Sequence, residues 1–326
     1  MPRALITGLL LSLFALPLAA AKSSYQYFAV GNQNDVVTTT AAGTVLMGGG
    51  TDVDAAFQWM IGKSGGGDFV VIRTTGTDAY NPYIYALGTV DSVETLIIPS
   101  RTAAADPFVV AKIRNAEALW IAGGDQSTYI SNWKGTPVAD AINYVANTKH
   151  APVGGTSAGL AVLGQFIYTG ASGSVTSSQA LANPYHRYVT LDRDFVQIAN
   201  LGGVITDSHF VTRDRLGRLV TFLARVIKDG WASSARGIGI DEATAILVEP
   251  TGAATRVGSG AAYFMSSAGA PQLCVSGSPL TYTNLPVYKV SGSATFNLST
   301  WTGSGGTAYT VSANSGALSS SNGSIY

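Results

Sequence analysis

Gly155-Thr156-Ser157-Ala158-Gly159 has the form Gly-x-Ser-x-Gly, placed between an apolar strand end at Pro152-Val153-Gly154 and a helix pattern over 158–167. A serine there can act as a nucleophile, because flanking glycines permit the strained turn that pushes a hydroxyl out above a sheet. The N–H of Ala158, at the helix start, then faces the position where an oxyanion would develop. The plainer reading is a glycine-rich turn with Ser157 as a helix cap. Strand, elbow and helix in that order favour the nucleophile.

A hydroxyl needs a base, and the chain has three histidines. His150 ends a surface helix pattern and reads as a solvated cation near a helix C-terminus. His186 follows Asn183-Pro184-Tyr185 in a loop. His209 follows the apolar run Gly203–Ser208, so it sits at a strand end, and it precedes Arg213, Arg215 and Arg218. His209 is the chosen base, and the clustered arginines imply an acidic partner. Gly239-Ile240-Asp241-Glu242 ends another apolar run and supplies the carboxylate to orient the imidazole. Neighbours in extended chain point to opposite sides, so either Asp241 or Glu242 can face His209; Glu242 is taken here. Gly123-Gly124-Asp125-Gln126 closes a further strand, where a Gly-Gly turn offers a second N–H and Gln126 an amide.

These residues require strands that end on one rim. Thr44–Gly50, Phe69–Arg73, Glu94–Pro99 and Leu119–Gly124 are short apolar runs separated by helix patterns. Strands apolar on both faces and alternating with helices predict a parallel sheet covered on both sides. Asp52 or Asp54 is placed to cap the first helix, and Asp106-Pro107 opens another. Leu216, Leu219, Leu223, Val226 and Ile227 repeat at helical spacing up to Gly230. Beyond Gly237 the pattern turns to strands. The order nucleophile, histidine, carboxylate departs from the α/β-hydrolases, in which the histidine comes last.

Charged residues make up 12% of the chain, half the usual share of roughly 25%, and the formal net charge is zero. With no basic run, nucleic acid and anionic membranes are poor partners. Arg3, the apolar stretch Ala4–Leu18 and Ala19-Ala20-Ala21 predict a secretory leader over 1–21, and hence a secreted protein with no membrane attachment after cleavage. A hydrolase domain is expected over 22–300, followed by a Gly/Ser/Thr-rich stretch, 301–326, read as a tail or a peripheral β addition. The single cysteine, Cys274, reads as a buried small apolar residue.

Four motifs in sequence carry a family resemblance: Gly-Gly-Asp-Gln at 123–126, Gly-Gly-Thr-Ser-Ala-Gly at 154–159, the run Asp207–Arg218, and Gly-Ile-Gly-Ile-Asp-Glu at 237–242. Together they resemble the cyanophycinase-like serine peptidases, which include the aspartyl dipeptidases. The resemblance implies an α/β three-layer sandwich with a mostly parallel sheet, of the class I glutamine amidotransferase-like, flavodoxin-like kind. It also implies a triad of Ser157, His209 and a Glu or Asp, taken here as Glu242, working without metal or cofactor. The N–H groups of Gly124 and Ala158 would form the oxyanion hole, with Gln126, Asp207, Arg213, Arg215 and Arg218 around the substrate. The expected partner is a peptide or a cyanophycin-like polymer, cut next to aspartate, and a homodimer is plausible for the family. A glutamine usually precedes the family's catalytic histidine, where this chain has Ser208.

Overall fold

The computed structural model describes Met1, residues 24–267 and residues 269–326; apart from Met1, the leader expected over 1–21 lies outside the described residues. The alternating pattern yields β1 (Gln26–Gly31), β2 (Thr44–Met47), α1 (Asp54–Lys63), β3 (Asp68–Arg73), α2 (Tyr80–Tyr85) and β4 (Ser92–Ile97). Next come α3 (Pro107–Asn115), β5 (Ala118–Ile121), α4 (Gln126–Trp133), α5 (Pro137–Asn147), β6 (Val153–Thr156) and α6 (Ala158–Ala161). The middle of the chain gives β7 (Phe166–Tyr168), α7 (Ser177–Ala182), β8 (Leu191–Arg193), β9 (Val204–Asp207) and α8 (Leu216–Lys228). The rest is strand: β10 (Arg236–Ile240), β11 (Thr244–Val248), β12 (Ala253–Gly258), β13 (Ala262–Ser266) and β14 (Tyr282–Val290). It closes with β15 (Thr295–Asn297), β16 (Thr302–Ser304), β17 (Thr307–Asn314) and β18 (Ala317–Ser320).

Among the described residues these strands form two sheets. The first runs β1-β4-β3-β5-β6-β2-β11-β12-β15-β16 and the second β18-β17-β14-β13-β10-β9-β7-β8. The α/β character is as expected, but a mostly parallel sheet is not what forms. The neighbours β4, β3, β5, β6 and β2 are parallel, as are β7, β9 and β10. From residue 244 onward every pairing is antiparallel. The cause is connection length: beyond residue 244 strands follow one another without crossover helices, and parallel pairing of successive strands needs such a crossover.

The parallel strands bury both faces by strict alternation. Leu46, Val70, Ile72, Leu119 and Ile121 point into one apolar cluster, with Val109 and Ile113 of α3 and Ile142 of α5. Val45, Met47, Phe69, Val71 and Trp120 point into another, with Phe57 and Met60 of α1. The first cluster also takes in Val204, Ile238, Ile240 and Phe264, so the two sheets share a core. In the second sheet, Leu219, Val220, Leu223 and Val226 of α8 pack with Ile205, Phe166 and Met265.

Some local expectations are corrected. The helix expected over 158–167 stops at Ala161, and Phe166-Ile167-Tyr168 becomes β7, where aromatic and β-branched residues fit an extended chain. Gly164 allows this, because a Cβ there would come within 2.7 Å of the Val204 carbonyl oxygen. Neither Asp52 nor Asp54 caps α1; Val53 holds that place, and the two carboxylates accept hydrogen bonds from Tyr80 and Tyr83 instead. Asp106 does cap α3, accepting from the N–H of Phe108 at 2.9 Å. Residues 302–320, expected as tail or β addition, contribute β16 to the first sheet and β17 and β18 to the second. No described helix is long and apolar enough to cross a membrane.

Cys274 is buried, and burial raises its thiol to about 11. At neutral pH it should therefore resist a thiol reagent in the folded protein and react stoichiometrically once denatured. Labelling by a chromogenic disulfide with and without guanidinium checks this; rapid labelling of the native chain would place the thiol elsewhere.

Candidate active site

The loop Gly48-Gly49-Gly50 leaves β2 and runs against Ser157, His209 and Glu242. The Met47 carbonyl accepts the N–H of Ser157 (3.2 Å), the Gly48 carbonyl that of His209 (2.7 Å), and the Gly49 carbonyl that of Ala243 (2.9 Å). Side chains are excluded on both steric and conformational grounds. A Cβ at Gly48 would fall 1.9 Å from the Asp241 carbonyl oxygen, and one at Gly49 would fall 2.5 Å from Cε1 of His209. Gly49 and Gly50 also have φ of 95° and 71°, which glycine adopts without cost from a Cβ.

Ser157 joins β6, an interior strand of the first sheet, to α6 with φ 52° and ψ −111°. A non-glycine residue in that region is strained by about 1–3 kcal/mol, which its surroundings must hold. His209 follows β9 in the second sheet with φ 47°. Its Nε2 lies 2.8 Å from Ser157 Oγ. Its Nδ1 lies 2.5 Å from Glu242 Oε1. Glu242 belongs to the turn between β10 and β11, the link from the second sheet back to the first. The site therefore straddles two sheets rather than crowning one. With the proton on Nδ1 donated to Glu242, Nε2 is free to accept the serine proton.

The neighbouring carboxylate does different work. Asp241 Oδ1 accepts the N–H of Val211 (3.1 Å), the N–H of Thr212 (3.0 Å) and the hydroxyl of Thr212 (2.9 Å). It fixes the loop downstream of His209, while Glu242 faces the imidazole. Burial lowers the His209 pKa below its ordinary 6.5, and the Arg213 and Arg215 charges add to this against the opposing pull of Glu242. The residue is 5% exposed, and burial prevails over the Glu242 contact, so the neutral ring is the resting form at neutral pH.

No family model matches the chain. Its sequence is 27% identical over 196 residues to a cyanophycinase of Nostoc sp., covering 60% of this chain and 57% of that relative. Against a cyanophycinase of Synechococcus elongatus it is 27% identical over 175 residues, covering 52% of this chain and 48% of that one. The chain is thus similar in sequence to the cyanophycinases. It spans about half the length of the curated relatives it matches. In fold it is similar to a peptidase from an acI-B1 Actinobacterium, with a TM-score of 0.52 at 17% identity, over 79% of this chain and 98% of that one.

A cavity of about 330 Å³ opens beside the Ser157 hydroxyl. Every residue expected at the site except Glu242 lines it: Ser157, His209, Gly124, Ala158, Gln126, Asp207, Arg213, Arg215 and Arg218. They differ in freedom. Arg218 and Asp207 are buried and face each other in a two-point pair, Nε–Oδ2 at 2.7 Å and Nη2–Oδ1 at 2.5 Å. Arg215 donates to the Ser208 carbonyl (2.9 Å) and hydroxyl (3.2 Å) and stands 3.6 Å from Asp207. Arg213 is half exposed and 3.6 Å from Glu242. Asp125 caps α4 through the N–H of Ser127 (2.9 Å), which leaves Gln126 at the cavity rim. Burial brings the Arg215 pKa down to about 10, so it stays charged.

His150 and His186 stand apart. His186 accepts the N–H of Tyr188 at 3.2 Å and packs edge-on to that ring, outside the lining of this cavity. Sequence reasoning missed the Gly48–Gly50 loop as part of the site, although three successive glycines after a buried strand were a signal. It missed Tyr168, whose ring lies 4.8 Å from the Arg218 guanidinium and stacks on Phe222. Nothing in the local pattern marks that tyrosine.

Replacing Gly49 by Ala should displace the His209 ring from Ser157 and lower kcat/KM by at least about 100-fold. Steady-state kinetics on a folded variant checks this. Unchanged turnover would mean that the loop yields without moving the ring.

Proposed function

We propose that the chain is a serine-type peptidase that hydrolyses a peptide or isopeptide bond next to aspartate through an acyl-enzyme. The observation that carries this is the unbroken relay from Ser157 Oγ to His209 Nε2 and from Nδ1 to Glu242. In the first step the Ser157 oxygen bonds to the substrate carbonyl carbon, and its proton passes to His209 Nε2. Glu242 stabilises the imidazolium that results. The carbonyl oxygen, now an anion, is received by the N–H groups of Gly124 and Ala158. Tyr129 holds the Gly123 carbonyl at 3.1 Å. In a trans peptide this turns the Gly124 N–H to the opposite side, away from Tyr129. The tetrahedral intermediate expels the amine, which takes the proton from His209. Water then repeats the sequence on the ester and frees Ser157.

The cavity supports an acidic substrate. Asp207 answers Arg218 and leaves the charge of Arg215 in excess, and Arg213 adds another at the rim. A substrate carboxylate would neutralise that excess, as aspartate beside the scissile bond does. Cyanophycin, the polymer from which the relatives are named, or β-aspartyl-arginine units cut from its end, is the leading substrate. Arg3 and the apolar run before Lys22 support export, and so a substrate met outside the cell.

Ser157→Ala should lower kcat by about 10⁴-fold or more with the melting temperature retained, and Glu242→Gln by about 10⁴-fold. Product release from purified cyanophycin, followed by mass spectrometry, checks both. Dipeptide release by the Ser157→Ala protein would overturn the assignment. An enzyme that cuts α- but not β-linked aspartyl peptides would redirect the substrate and keep the chemistry.

The acid limb follows from the state of His209. Only the neutral ring accepts the serine proton, and its folded pKa is lowered, so activity is retained below the ordinary 6.5 and lost only when pH falls through the depressed value. A pH profile of kcat/KM should show that midpoint below 6.5. A midpoint above it would mean that the Glu242 attraction outweighs burial.

A further inference from the structure

Helix α8 begins badly. Its first residues bring Arg215 and Arg218 to the positive end of a helix, and Arg215 in the cap position makes no side-chain cap. The orphan N–H groups of its first turn are met from far away in sequence. Ser177 Oγ accepts the N–H of Arg218 at 3.2 Å. The Tyr326 hydroxyl accepts the N–H of Leu216 at 3.0 Å. The same hydroxyl donates to Asp214 Oδ1 at 2.9 Å. Asp214 has φ 48° and lies between His209 and Arg215 in the loop that carries both. The ring of Tyr326 stands edge-on to Phe210 and Tyr263 at 5.9 and 5.8 Å. Its place is fixed from the strand side as well, because Tyr309 of β17 donates to the neighbouring Ile325 carbonyl at 2.9 Å.

We propose that Tyr326 is a positioning residue for the substrate-binding arginines: it caps α8 and pins Asp214, and so fixes where Arg215 and Arg218 stand in the cavity. The inference rests on the hydrolase reading above for its kinetic consequence, and on the structure alone for its mechanical one. His209 is held independently by the Gly48 carbonyl and by Glu242, at the other end of the same loop. Loss of the Tyr326 hydroxyl therefore loosens the arginine end and leaves the base in place. The effect falls on substrate binding rather than on the chemical step.

Tyr326→Phe in the full chain tests this, since it removes one oxygen and keeps the ring contacts. Amide exchange at Leu216 and its neighbours should quicken roughly fivefold, the scale of a lost helix cap. With cyanophycin as substrate, KM should rise roughly fivefold with kcat unchanged, the acid limb unmoved, and the melting temperature retained. Unchanged exchange overturns the proposal. So does a fall in kcat with a lowered melting temperature, which marks a merely structural role. A parent protein that releases no product and whose Ser157 resists a fluorophosphonate counts against the hydrolase reading instead. The exchange comparison still decides the role of Tyr326, since it needs no turnover.

Discussion

The site depends on the close approach of the backbone at Gly48-Gly49-Gly50 to three separate segments. Three carbonyls in succession, from Met47, Gly48 and Gly49, each take one amide from the serine turn, the histidine turn and the acidic turn. Residues 47–49 are fixed at their start by β2, which pairs with β6 on one side and β11 on the other. A single strand end thus sets the relative heights of nucleophile, base and orienting carboxylate. That approach leaves no room for a Cβ, which is why glycine occupies every position of the loop.

Such clamping has a cost that the fold must offset. Ser157, His209 and Ala243 all have positive φ without being glycine, each worth about 1–3 kcal/mol of strain. Each of the three also donates its amide to a carbonyl of residues 47–49. Strain and hydrogen bond come as a pair: the unusual φ is what turns the amide inward and the side chain outward. Catalytic geometry is then a property of the backbone. The Ser157–His209 contact of 2.8 Å need not be found by side-chain rotation in each turnover.

Much of this was legible in the chain, and the reasons differ by element. The parallel strands showed themselves because each is apolar on both faces, and the elbow at Ser157 because glycine, strand end and helix start coincide. Glu242 and Asp241 were indistinguishable in sequence; alternation said that they diverge, and only the path of the turn says which way. The hairpins beyond residue 244 were visible as strands but not as partners, since antiparallel pairing depends on which edge is free. Residues 302–326 were hardest. Their small polar residues give no periodic signal, and their order comes from pairing with β14 and β15 and from aromatic contacts such as Tyr326 with Tyr263 at 5.8 Å.

The arginines show how a buried charge cluster can be stable and still receptive. One carboxylate, Asp207, faces two guanidinium groups, and its two-point pair with Arg218 satisfies both oxygens. Removing one partner of such a pair would leave a charge uncompensated away from water, at a cost of about 3–5 kcal/mol. Arg215 is different: it leans on Ser208, a neutral partner, so its charge is held in position without being cancelled. The cavity is accordingly fixed by the Asp207–Arg218 pair and charged at Arg215, and an anion entering it gains Coulomb energy without rearranging that pair.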